Sequence, residues 1–159
     1  MTAKQLLLHM TRLAYNADEM ALLTSVYPWT WRPPGPAVRD PARDLTDEQA
    51  RAKPDGWHRS ILDILRHVAE CKVAYMTQAF GEPPEPLGEA GQTLEDVLAW
   101  LDAAQRLVVA RLEAIDEADL AKPVQTDHHG ESAANLFWVL AQHDVAHGSQ
   151  IELIRDSMA

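Results

Sequence analysis

Leu6, Met10, Leu13, Ala17, Met20 and Thr24 recur at alternating spacings of four and three, which predicts a helix from about Thr2 to Val26. A second helix is expected from Ser60 to Phe80, with Ile61, Ile64, Leu65, Val68, Cys71 and Tyr75 facing inward. Ser60 with Asp63 forms a capping-box pattern at its start, and Gly81, Pro83 and Pro84 stop it. A third is expected from Leu94 to Ile115, opened by Thr93 with Asp96 and striped by Leu94, Val97, Leu98, Leu101, Val108 and Ile115. The fourth runs from Ser132 to Asp156, and its seam is Leu136, Leu140, His143, His147, Gln150 and Ile154. Spacings of four and three keep one face of each helix turned to its neighbours, as a bundle requires. The period is helical throughout, with no β alternation, so the fold class predicted is all-α.

Between the first two helices lies a proline-rich connection, Pro28 to Trp57, holding six of the ten prolines. Thr46 and Gln49 could cap a short helix within it, near Leu45 to Lys53. A crossover of this length can span a bundle, so the helices it joins need not be antiparallel neighbours. It reads first as a plain strap, although loops of this length are functional more often than the average loop.

The chain has 159 residues, which suits one domain, residues 1–159, with a core of its own. Acidic side chains outnumber basic ones 24 to 14, for a formal charge of −10. A field of that sign repels phosphate backbones and anionic membrane surfaces, so neither nucleic acid nor membrane is an expected partner. The single cysteine, Cys71, excludes an internal disulfide and a cysteine-based zinc motif, which fits a reducing cytoplasmic setting. The first residues lack the apolar stretch and cleavage site of a signal peptide, and no window approaches a membrane span.

The sharpest chemical feature is His143-Asp144-Val145-Ala146-His147. Residues four apart on a helix project from nearly the same face, so two imidazoles can meet one metal ion. Their seam register makes the pair more telling, because a buried ring without a partner costs about 1–3 kcal/mol. The rings could share a cation, or they could hydrogen-bond to carboxylates. His67, beside the Ile64, Val68 and Cys71 face, completes a candidate triad across two helices. Three neutral imidazoles would hold a divalent ion and leave coordination positions open. Such an ion can acidify a bound water or thiol, or polarise a carbonyl. Nitrogen donors suit zinc, nickel or iron better than magnesium or calcium.

Three stretches carry a family resemblance: Trp57-His58-Arg59-Ser60-Ile61-Leu62-Asp63-Ile64-Leu65-Arg66-His67, Gly130-Glu131 leading into a hydrophobic helix, and His143-Asp144-Val145-Ala146-His147-Gly148-Ser149-Gln150-Ile151. In order and spacing they resemble the DinB-like (DinB/YfiT) superfamily of metal-binding four-helix bundles. The resemblance implies His67, His143 and His147 as the metal ligands. It also implies an up-down-down-up bundle whose long crossover joins helices one and two. Some relatives use a low-molecular-weight thiol as cosubstrate in transferase or isomerase chemistry, and relatives are often homodimers. The family often has glycine immediately before the glutamine, whereas Ser149 stands here, which puts packing beside the site in question and leaves the ligands intact.

Asp63 and Asp144 are candidates to accept from the second ring nitrogen of a bound histidine, or else are solvated helix surface. Gln150 could orient a ligand or water, or pack with a hydrogen bond. His128 and His129 could reach the site as acid or base, or lie exposed in their loop. Cys71, one turn beyond His67, is either a thiolate ligand or a small core thiol. Trp29, Trp31 and Trp57 either wall the pocket or pin the loop, while Trp100 and Trp138 suit core or dimer contacts. His9 and His58 look peripheral. Three functions follow: a metal-dependent enzyme of transferase, isomerase or hydrolase type, a non-catalytic metal-binding or stress-response module, and a metal-free helical interaction domain. No residue has a clear role as general base.

Overall fold

Side-chain caps start the helices of the computed structural model, which describes residues 1–16, 37–127 and 132–159. Helices α1 (Ala3–Tyr15), α2 (Asp47–Arg51), α3 (Ile61–Phe80) and α4 (Leu94–Ala114) each open with a complete capping box, from Thr2/Gln5, Thr46/Gln49, Ser60/Asp63 and Thr93/Asp96. Each box satisfies amides that a helix start leaves unpaired. Helix α5 (Ala133–Ser157) is capped by Ser132. The fold is all-helical among the described residues, where no strand forms beyond an isolated bridge between Pro123 and Ser132. Gly81, at φ +80, ends α3 in a conformation that side-chain-bearing residues rarely adopt. Because the Ser60 cap starts the helix that carries His67, Ser60→Ala is expected to lower stability by about 1 kcal/mol in urea unfolding.

The first helix is shorter than its apolar spacing predicts. It ends at Tyr15, and Asn16 is already extended, at φ −146 and ψ 117. Returning chain competes for the helix end, since the Val38 and Arg39 amides donate to the Ala14 and Tyr15 carbonyls at 3.0 and 3.1 Å. The rest of the predicted helix, residues 17–26, lies outside the described residues, as do Trp29, Trp31 and the prolines from Pro28 to Pro36. Leu6, expected inside, is exposed, and Leu7, Thr11 and Ala14 are buried instead. Arg39 then ties the returning chain to α4 through two bonds to Asp102, at 2.8 and 3.1 Å, with the Tyr15 hydroxyl donating to the same carboxylate. Burial and the Asp102 contact push that tyrosine's pKa far above its usual value.

Four long helices pack side by side, α3 on α4, α4 on α1, α1 on α5 and α5 on α3, an arrangement compatible with a four-helix bundle. Arg66, near the start of α3, donates to the carbonyl of Gly91, just before α4, at 3.1 Å. Arg111, near the end of α4, donates to the Gly81 and Glu82 carbonyls at the end of α3, both at 2.9 Å. Lys4, in the first turn of α1, donates to the Glu113 and Ile115 carbonyls at the end of α4, both at 2.7 Å. That contact neutralises carbonyls a helix end leaves unpaired. Arg155, in the last turn of α5, reaches the Pro41 carbonyl at 3.1 Å.

Two apolar clusters fill the interior. One gathers Tyr15, Val68, Ala104 and Ile151, the other Leu7, Met76, Leu107 and Leu140, each with neighbours from the same helices. Trp57 and Trp100 pack partly buried against the first, while Trp138 is 40% exposed.

Candidate metal centre

Helix α3 carries His67 and Cys71 one turn apart, and α5 carries His143 and His147 one turn apart. The packing of α3 on α5 brings all four side chains together. The His67 ring lies 5.4 Å from that of His143 and 5.1 Å from that of His147, and the latter two are 4.3 Å apart, centroid to centroid. His67, Cys71 and His143 offer ligand atoms all within 4.8 Å of one another, a group that could hold a metal ion. All four residues are partly buried, sheltered but reachable.

The hydrogen bonds define the donor atoms further. His147 Nδ1 stands 2.8 Å from Gln150 Oε1, and an amide oxygen can only accept. Nδ1 therefore carries the proton, and Nε2 presents a lone pair. That Nε2 is 3.1 Å from His143 Nε2. Two nitrogens bound to one tetrahedral zinc at ~2.0–2.1 Å stand about 3.3–3.4 Å apart, so the observed separation is nearly that of two ligands on a common ion. The same contact also serves as a hydrogen bond if His143 donates. Cys71 Sγ lies 3.8 and 3.7 Å from the two ring nitrogens of His67, where a thiolate could join the set.

Electrostatics favour the neutral form of two of the rings, the form that could bind a metal. Burial holds the His67 pKa below the usual histidine value, helped by the positive charge of Arg59. Burial also lowers His147, against the pull of Gln150. Neutral imidazoles at physiological pH are the ligand form. Burial, with Glu70 beside it, pushes the Cys71 thiol up, so the unliganded cysteine is protonated.

Leu136, Leu140 and Ile154 of the predicted α5 seam are buried, but between them the buried line is shifted by one residue. Asp144, Gly148 and Ile151 are buried, whereas His143 and His147 sit at the margin of the stripe and Gln150 is exposed. Among the described residues neither candidate carboxylate accepts from a histidine. Asp63 caps α3 and pairs with Lys53 at 3.1 Å. Asp144, far from being solvated surface, is fully buried and takes a bond from Lys72 at 2.6 Å. Burial pushes its carboxyl up to about 6, against the opposing effect of the lysine. This pair escaped the sequence reading, although Lys72 occupies a stripe position of α3 between Val68 and Met76. His58 is exposed, and His128, His129, Gly130 and Glu131 lie outside the described residues.

Residues 28–151 match the DinB superfamily, and the chain belongs to it. No curated protein and no solved structure gave a match. Among the described residues no helix is long and apolar enough to cross a membrane.

Proposed function

We propose that the chain is one up-down-down-up bundle that holds a divalent metal ion through His67, His143 and His147, and that it is a metal-dependent enzyme. The observation that carries this reading is the convergence of three imidazoles from two helices, one of them oriented by Gln150. The bonds at the helix ends support the topology, for they make α3 parallel to α4 and α1 antiparallel to α4. A neutral three-nitrogen set suits zinc, nickel or iron. When bound, the ion supplies Lewis acidity toward a water, thiol or carbonyl. His67, His143 and His147 hold it, Gln150 fixes the tautomer of His147, and the apolar clusters keep both helices in place. A low-molecular-weight thiol is the cosubstrate class to test first, in transferase, isomerase or hydrolase chemistry. Exposed Trp138 and Leu153 on α5 support a homodimer contact, and the charge of −10 supports a partner other than nucleic acid. The reducing environment suited to a lone thiol supports a cytoplasmic location.

A second reading is favoured by Cys71. If its sulfur coordinates, the site is closed, and closed sites are structural. Cobalt(II) loading separates the two. An open three-nitrogen site is expected to give only ligand-field bands and to show turnover with cellular thiols. A near-ultraviolet sulfur-to-cobalt band in the wild type, lost in Cys71→Ser, would establish the closed site. Untagged protein that retains no metal and binds no cobalt would sink both readings in favour of a metal-free interaction domain. Gln150→Ala is expected to weaken metal affinity by about 10–100-fold, measured by competition with a chromophoric chelator.

A further inference from the structure

Thr11, Lys72, Gln105 and Asp144 form one hydrogen-bonded chain with a member from each of the four long helices. Lys72 Nζ donates to Asp144 Oδ2 at 2.6 Å and to Gln105 Oε1 at 2.9 Å. Gln105 Nε2 donates to the Thr11 carbonyl at 3.1 Å. Lys72 and Asp144 are each 0% exposed. On every helix this polar layer falls between the two apolar clusters: between Leu7 and Tyr15 on α1, Ala69 and Met76 on α3, Ala104 and Leu107 on α4, and Leu140 and Ile151 on α5.

A buried ion pair is a poor source of stability, because removing two charges from water offsets their attraction. This one is not fully satisfied, since Asp144 Oδ1 has no hydrogen-bond partner among the described residues. In some proteins the use of such a buried polar group is to specify register. Apolar layers tolerate sliding, whereas a shift of one turn, about 5.4 Å, breaks a 2.6 Å bond. The pair joins the same two helices as the histidine cluster, and at adjacent positions: Lys72 follows Cys71, and Asp144 follows His143.

We propose that the Lys72–Asp144 pair is a positioning device that fixes α3 against α5, so that His67 meets His143 and His147 in the geometry a metal ion needs. This rests on the metal-centre reading above. The test replaces both charges by apolar groups in the full-length chain, as K72M/D144L, and measures three quantities: urea unfolding of the metal-free protein, cobalt(II) affinity and the cobalt ligand-field spectrum. The expected result is an unfolding midpoint at or above that of the wild type, with affinity lowered by about 10–100-fold and an altered spectrum. A folded variant with wild-type affinity and spectrum would overturn the proposal. If K72M/D144L does not fold, K72M/D144A, which adds no bulk, is read by the same two outcomes. Wild-type protein that binds no cobalt would defeat the metal reading separately. The positioning claim is then decided in metal-free protein by nuclear Overhauser contacts between the His67 and His143 rings. Their loss in the folded variant supports it, and their persistence overturns it.

Discussion

His143→Ala is expected to abolish tight metal binding while leaving the helices intact. His143 is near both other rings, 4.3 Å from His147 and 5.4 Å from His67, and unlike His147 it also belongs to the group with Cys71. Its loss therefore damages the three-nitrogen set and the sulfur-containing set alike. Residues that merely orient a ligand cost about 10–100-fold in affinity when removed, so losing a ligand should cost more than about 100-fold. Metal at 100 times its dissociation constant stabilises the wild type by about 2.7 kcal/mol. For a domain of this size each kcal/mol shifts the melting temperature by about 2–4 °C, giving a metal-induced rise of roughly 5–11 °C. That rise should vanish in the variant, and any metal-dependent turnover with it. A retained shift in His143→Ala, by scanning fluorimetry against the same metal series, would mean that the ion sits elsewhere.

The pairing of His143 with His147 on one helix face was legible because a spacing of four is visible in a linear string, and the helix starts because capping boxes are local. Neither needs knowledge of a partner helix. The register of α5 was less legible, since a period of 3.6 does not separate neighbouring positions sharply. The apolar series through Leu136 and Leu140 pointed to His143, yet the buried position is Asp144, a residue that hydrophobic patterning passes over. Lys72 was hidden in the same way: it holds a core position on α3, but a lysine there makes sense only once Asp144 is known to face it. Pairing between distant segments is a tertiary fact. So is the end of α1, where amides 23 or more residues downstream claim the last carbonyls. Asp63 shows the opposite error, a carboxylate weighed for the metal whose local capping role already accounted for it.

Lys72→Met alone should be the most destabilising of the substitutions considered. Removing one partner of a buried pair leaves the other charge without compensation, at a cost of about 3–5 kcal/mol. At about 2–4 °C per kcal/mol the melting temperature should fall by roughly 6–20 °C. Metal-free protein isolates the effect, and its pH dependence identifies the cause. Burial already raises the Asp144 carboxyl to about 6 with the lysine opposing it, so without the lysine it rises further. The unfolded chain releases that proton near pH 3.9. Between these values the folded state holds more protons than the unfolded state, so this group's contribution to stability falls as pH rises. Below about pH 6 the folded state's Asp144 is mostly neutral in variant and wild type alike, and the lysine no longer has a charge to compensate. The gap between the two proteins should therefore be widest at pH 7.5 and shrink by pH 5. Titration of the histidines contributes to both proteins and largely cancels in the difference. A gap of equal size at both pH values would mean that Lys72 acts through packing of its aliphatic stem, not through its charge on Asp144.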